Sequence, residues 1–169
     1  MTETIEVQER GRTIAYSFED MLKYHGPGSP GGVAVAFKVL QRALALLSPD
    51  APAPRREIAV RTSFGGPGAR DGFEAVTRAV SGERFTLDPD LARPERGRLV
   101  ERFVFEVSLG GRSVTLLLRD GFVTEEFVDL ARKKERTEQE DAHLDVLKGE
   151  LAARVMGADA SAVYDVDDA

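Results

Sequence analysis

Tyr24-His25-Gly26-Pro27-Gly28-Ser29-Pro30-Gly31-Gly32 runs without a break into an apolar stretch from Val33 to Leu47. These nine residues hold one of the chain's two histidines, two prolines and four glycines. Glycine lets the backbone turn sharply and approach another segment closely. Ser29-Pro30 has the form of a helix start, with serine as N-cap and proline at the first helical position, where a missing N–H costs nothing. The stretch therefore predicts a histidine beside free N–H groups at the positive end of a helix, a setting for a metal, an anion or a carboxylate. The helix that follows is apolar almost all round, broken only by Lys38, Gln41 and Arg42. Such a pattern predicts a buried helix at the centre of the core.

Upstream, Ser17 and Asp20 form an approximate capping box for a short helix from Phe18 to Tyr24, which delivers His25 and ends at Gly26. Residues 1–15 mix Ile5, Val7 and Ile14 with charges and read as an N-terminal arm or a frayed strand. Downstream, Ser48 to Pro54 carries three prolines and reads as an extended connection. Glu57 to Phe64 is a β-branched strand closed by Gly65-Gly66-Pro67-Gly68. A helix from Arg70 to Val80 follows, with Phe73, Val76, Thr77 and Val80 at helical spacing and Gly82 as its stop. Arg84 to Leu87 reads as a second strand, and Asp88 to Arg98 as a surface loop. Leu99 to Leu109 then alternates, Gly110-Gly111 turns, and Val114 to Leu118 returns, which predicts a β-hairpin.

From Phe122 the chain reads as two charged helices, one to about Glu135 and one from Gln139 to Met156. Leu144, Leu147, Leu151 and Val155 form a narrow stripe on the second. It either covers the domain or zips against a second copy of the chain. Residues 159–169 read as an acidic tail, with Val163 to Val166 docked and the last three residues loose. No internal repeat is present. The order predicts an α+β protein: an α-β-α-β-β-β core with a mixed sheet over residues 16–120, plus C-terminal helices over residues 121–158.

The 169 residues suffice for one domain with a real core, and a hydrophobic fraction of 42% beside 31% charged residues is ordinary for a globular chain. A formal charge of −6 argues against nucleic acid as a partner. The densest cationic group, Arg132-Lys133-Lys134, is flanked by acids and reads as a solvated helix face. The chain has no cysteine, which removes disulfides, thiolate nucleophiles and sulfur-liganded metals. No segment reads as the ~18 apolar residues that span a bilayer, so no membrane partner is expected. The polar, acidic start is unlike a secretory signal, and the expected compartment is the cytoplasm.

Tyr24-His25-Gly26 with Ser29-Pro30-Gly31 and the alanine-rich helix resembles the opening motif of the formylmethanofuran dehydrogenase E-subunit family: an aromatic, His-Gly-His, a spacer, Cys-Pro-Gly and a helix. Asp71-Gly-Phe-Glu-Ala-Val-Thr77 resembles that family's Asp-Ala-Ile-Gln-x-x-Thr segment, and Ala162 to Val166 its closing segment. The resemblance spans residues 16–166 and implies an α-β-α-β-β-β unit similar to the catalytic domain of glyceraldehyde-3-phosphate dehydrogenases. It also implies a zinc-type site, yet of the family's ligands only His25 is retained. Pro27 stands at the second histidine position, Ser29 and Gly68 at cysteine positions, and Ala79 at a third. Zinc needs about four donors, three or more from protein. Zinc is thus less expected here than in relatives, and the cofactor is left open. A hard-ligand site from His25, Asp71 and Glu74 remains conceivable, as does a vestigial site in which His25 braces a loop.

His25, close to neutrality in its ordinary titration range, is the candidate acid or base. His143, among Glu140, Asp141 and Asp145, reads as surface. Ser29 lacks a G-x-S-x-G setting and reads as a cap. Gly65 to Arg70 lies between strand and helix as phosphate loops do, but its spacing matches neither phosphate-binding pattern. Asp71 reads as an acid early in a helix, and Arg70, Glu74 and Arg78 as a shared helix face. The expected function is a metal-free domain that binds a small ligand or a partner, with its pocket between His25–Gly32 and Gly65–Asp71. The ligand-binding residues would be His25, Gly26, Ser29, Gly31, Gly66, Gly68, Asp71, Glu74 and Thr77, and the ligand a small anion. Two alternatives stand beside it. One is an enzyme using His25 with a divalent metal on carboxylates. The other is a structural homodimer joined through the hairpin edge or the C-terminal stripe.

Overall fold

A computed structural model describes residues 2–167. The protein is α+β, as the sequence order implies. Strands β1 (Thr4–Glu9) and β2 (Arg12–Ser17) pair antiparallel, and β1 also pairs in parallel with the two-residue β3 (Ala53–Pro54). Residues 1–15, read as an arm or a frayed strand, are largely a hairpin whose Ile5 and Val7 join the core. Arg10 and Gly11 make its turn with φ of +52° and +78°. Arg-Gly is a weaker turn signal than Asn-Gly or Asp-Gly, which is why the hairpin is hard to see in the sequence.

The larger sheet runs β5 (Phe85–Leu87), β4 (Ile58–Thr62), β6 (Val104–Leu109), β7 (Arg112–Leu118), β8 (Tyr164–Val166). Only β4 and β5 are parallel. The Gly110-Gly111 turn has both φ values positive, +56° and +82°, as a two-residue hairpin requires. The strand before it starts at Val104, because Leu99 to Arg102 form a turn rather than extended chain. Beyond β7 the expected acidic tail is a short helix and the edge strand β8. Asp167 donates its amide to the Thr115 carbonyl, and its carboxylate accepts from Arg93. Asp168 and Ala169, part of the expected loose end, lie outside the described residues.

The helices are α1 (Phe18–His25), α2 (Pro30–Leu47), α3 (Pro67–Thr77), α4 (Glu125–Arg132), α5 (Glu138–Met156) and α6 (Ala160–Val163). From α2 to β7, leaving aside β3, the order is α-β-α-β-β-β. The Ser17–Asp20 capping box is formed. The backbone and side-chain hydrogen bonds of Ser17 hold the Asp20 carboxyl below its ordinary range. A second box, Thr137 with Glu140, starts α5.

Helix α2 is the buried centre. Its length of 18 residues and mean hydropathy of 1.3 make it long and apolar enough to cross a bilayer. That corrects the expectation that no such segment exists. Here 67% of it is buried inside the protein, against the sheet, α3 and α5. Even Lys38 is fully buried and donates to Glu3 at 2.9 Å, which keeps the Glu3 carboxyl below its usual range. The Leu144, Leu147, Leu151, Val155 stripe of α5 is buried within this same chain, and β8 pairs with β7. Both surfaces expected as dimer interfaces are therefore occupied from within. Tyr164 fastens the chain end by donating to the Val35 carbonyl at 3.1 Å, and burial pushes its phenol well above the ordinary value.

Glycine permits the tightest helix contacts. A Cβ on Gly68 would lie 2.2 Å from the Ser29 carbonyl oxygen, and one on Gly72 would lie 2.9 Å from Ala36 Cβ. Gly149, by contrast, meets nothing within 4 Å on α5. Gly68→Ala should thus destabilise by about 1–3 kcal/mol or more through overpacking, whereas Gly149→Ala should stabilise by about 0.8–1 kcal/mol through helix propensity. Urea midpoints of the two variants, moving in opposite directions, check this.

Candidate functional site

Two glycine-built bends meet at the starts of α2 and α3. A Cβ on Gly32 would sit 2.8 Å from the Ala69 amide nitrogen, so the two backbones all but touch. Helix α2 starts at Pro30 with Ser29 as N-cap, as its sequence implies, although the Ser29 hydroxyl makes no capping bond. Helix α3 starts at Pro67, three residues earlier than expected, behind Gly66. The first backbone bonds of the two helices run from Val33 to Ser29 and from Arg70 to Gly66. The amides of Gly31, Gly32, Gly68 and Ala69 precede those bonds and belong to the donors that a helix start leaves without intrahelical partners.

A cavity of about 500 Å³ opens beside these helix starts. That volume falls within the ~300–1,000 Å³ of small-molecule sites. Its walls come from the N-cap Ser29 and from Gly31, Gly32 and Val35 of α2, from Phe64 to Gly68, and from Arg98, Leu99, Arg102 and Phe103. Helix α4 adds Phe127, Val128, Ala131 and Arg132; Arg136 follows it, and α5 gives Leu144, Lys148 and Leu151. Phe64 stacks on Phe103 with ring centroids 4.3 Å apart, which stiffens one wall.

The charge of this wall is one-sided. Arg98, Arg102, Arg132, Arg136 and Lys148 line it, and among the described residues no aspartate or glutamate does. Three of these cations have positioning work. Arg98 pairs with Asp129 of α4 at 2.6 Å, and Lys148 donates to the Gly28 carbonyl at 3.0 Å. Arg136 pairs with Asp141 and donates to the carbonyls of Leu130, Ala131 and Lys133, tying the end of α4 to the start of α5. Among the described residues, the Arg102 and Arg132 guanidiniums have no hydrogen-bond or ion-pair partner, and both side chains are exposed. The sequence places Arg132 on a solvated face and leaves Arg102 unremarked. The one available signal was the density of arginines over residues 93–102 and 132–136 in an acidic chain.

His25 lies behind the cavity rather than on it. Its side chain is 8% exposed, with Nδ1 2.8 Å from Asp71 Oδ2. The Ser29 amide donates to Nε2 at 3.0 Å. Because an N–H points at Nε2, the neutral ring carries its proton on Nδ1 and donates it to Asp71. Both ring nitrogens are thereby engaged within the protein. The imidazole clamps the end of α1, the bend before α2 and the middle of α3. Asp71 is the fifth residue of α3, past the first turn, so its placement answers to His25 and not to the helix dipole.

Of the remaining expected ligand-binding residues, Ser29, Gly31, Gly66 and Gly68 line the cavity, while Gly26, Glu74 and Thr77 do not. Gly26 ends α1 with φ +93°. Thr77 is fully buried, donating to the Phe73 carbonyl at 2.7 Å and accepting from the Ala79 amide. Glu74 accepts from the amides of Val80 and Ser81 at 3.0 and 3.1 Å, so it shares no ligand set with His25 and Asp71. No ion pair joins it to Arg70 or Arg78 among the described residues. Among those same residues no group of three or more His, Cys, Asp or Glu side chains could hold a metal ion.

Helix α3 ends at Thr77 rather than at Val80, because Arg78 takes the left-handed conformation with φ +58°. Two arginines then collect the freed carbonyls. Arg55 donates to Ala75 and Val76, and Arg84 to Thr77 and Arg78. Arg61 pairs with Asp88 across the neighbouring β4–β5 edge.

No family model matches the sequence, and a search of curated proteins returned no match.

His25→Ala strips partners from Asp71 and from the part-buried Ser29 amide, and should cost roughly 1–3 kcal/mol. Asp71→Asn keeps an acceptor for Nδ1 and should lose less. Two-bond ¹H–¹⁵N spectra of the neutral ring should show the proton on Nδ1; a proton on Nε2 would refute the clamp. For Glu74, burial raises the carboxyl pKa, but the hydrogen bonds from Ser81 and Val80 outweigh it and hold the net value below the ordinary range. A depressed folded-state pKa gives stability that is complete above the unfolded carboxylate range and lost as pH falls through the folded value. The stability gap between wild type and Glu74→Gln should therefore be widest near neutrality and close below about pH 4, as urea titrations at a series of pH values will measure.

Proposed function

We propose that this protein is a metal-free binding domain that holds a small organic anion in the cavity beside the α2 and α3 starts. The observation that carries this reading is the composition of the wall: five cationic side chains, no carboxylate, and a floor of Val35, Phe64, Phe103, Phe127, Leu144 and Leu151. A cleft lined by one sign of charge, with low-dielectric walls, concentrates counter-ions of the opposite sign. The free amides of two helix starts add to the same positive potential. Arg102 and Arg132, unencumbered by internal partners, are the groups we assign to the ligand's negative charge.

Within this reading the chain is a divergent relative of the formylmethanofuran dehydrogenase E-subunit family, supported by the Tyr24–Gly31 and Asp71–Thr77 motifs and by the order α-β-α-β-β-β from α2 to β7. The absence of cysteine supports a reducing compartment, and we place its work in the cytoplasm. His25 and Asp71 serve the site by fixing the bend that carries Ser29, Gly31 and Gly32.

A melting-temperature panel of straight-chain carboxylates from acetate to decanoate, together with inorganic phosphate, tests the reading. At least one anion should raise the wild-type melting temperature, by an amount equivalent to about 2.7 kcal/mol at a hundredfold excess over Kd. Arg102→Glu combined with Arg132→Glu should abolish that rise while leaving the unliganded melting temperature near wild type, since neither side chain has a partner to lose among the described residues. A panel in which no anion moves the wild type, or in which the double variant responds equally, removes the reading.

A further inference from the structure

The placement of charge and apolar surface within this cavity says more about its ligand than its sign. The unpaired guanidiniums of Arg102 and Arg132 are exposed, whereas Phe103, Leu144 and Leu151 on the same wall are at most 6% exposed. Positive charge therefore stands at the mouth and apolar side chains form the depth. An inorganic or fully hydrophilic anion would use the mouth alone and leave the apolar depth filled with poorly bonded water. From this we infer that the ligand is an amphipathic anion, a carboxylate or phosphate head on an apolar body. The head sits between Arg102 and Arg132, and the body lies against Phe127, Leu144 and Leu151. This inference rests on the anion-binding reading above and sharpens it to a substrate class.

Each methylene moved from water into an apolar site contributes about 0.8 kcal/mol, or about fourfold in affinity. A hydrophilic site has no such dependence on chain length. The size of the cavity also sets an upper limit, because a body that outgrows about 500 Å³ returns to water and gains nothing further.

Isothermal titration of the full chain with acetate, hexanoate, octanoate, octyl phosphate, octanol and inorganic phosphate tests the inference. Octanoate should bind more tightly than hexanoate by about fifteenfold for two methylenes. Octanol, with no charge and one carbon more in its apolar body, should still bind at least tenfold more weakly than octanoate. Octyl phosphate against octanoate decides which head is preferred, either result being in accord with an amphipathic ligand. Ala131→Trp, at an exposed position on the cavity wall, should block octanoate while leaving the melting temperature unchanged. If acetate or inorganic phosphate binds as tightly as octanoate, the amphipathic assignment falls and the anion site stands. Binding of octanol equal to octanoate, or of octanoate to the tryptophan variant as to wild type, also overturns the assignment. If no compound binds at all, the anion site falls with it.

Discussion

The constraint on which this fold depends is the contact between two helix backbones, not between two sets of side chains. At Gly32, Gly68 and Gly72 there is no room for a Cβ without displacing Ala69, the Ser29 carbonyl or Ala36. Interiors are packed to near crystal density, so a shift at one such contact is not absorbed locally. With α2 and α3 held this close, their first turns sit side by side and bring two sets of unpaired amides to one place. The cavity lies beside that approach, and the segment from Phe64 to Gly68 that leads into α3 forms part of its wall. His25 and Asp71 hold the bend on one side, and Arg55 and Arg84 gather the carbonyls at the far end of α3. Polar groups of this fold thus serve to fix the two helices at their ends.

What could be read from the sequence was what neighbouring residues decide. The capping box at Ser17, the proline-started and apolar α2, the Gly110-Gly111 hairpin and the leucine stripe of α5 each rest on residues a few positions apart, where propensity and periodicity act directly. The N-terminal hairpin was not legible, because an Arg-Gly turn with φ of +52° at Arg10 carries no strong local signature. Strand β8 was legible only as a docked end. Its pairing with β7 depends on Tyr164 reaching Val35 across 129 positions of sequence.

The site divides in the same way. The meeting of the two bends follows from their glycines, and His25 stands out as the ring at the first bend. Its chemistry was not local: Asp71, 46 residues away, takes Nδ1 and turns a candidate base into a clamp. Glu74 and Thr77 were expected as ligands beside Asp71, but each satisfies backbone amides just past the end of α3 instead. The cationic wall was the least legible part. Arg98 and Arg102, Arg132 and Arg136, and Lys148 come from three separated segments, and in each segment acids nearby in sequence disguise the sign.

Net charge and local charge therefore carry different information. A chain at −6 repels anions at long range, yet at about 0.15 M ionic strength that repulsion is screened beyond ~8 Å. Within the cavity only the nearest groups count, and Asp129 and Asp141 are already engaged with the wall residues Arg98 and Arg136. Those two pairs fix α4 and cancel their own fields. The division of labour among five cations, three committed to holding the wall and two left unpaired at its mouth, is what turns a positive surface into a defined place for an anion.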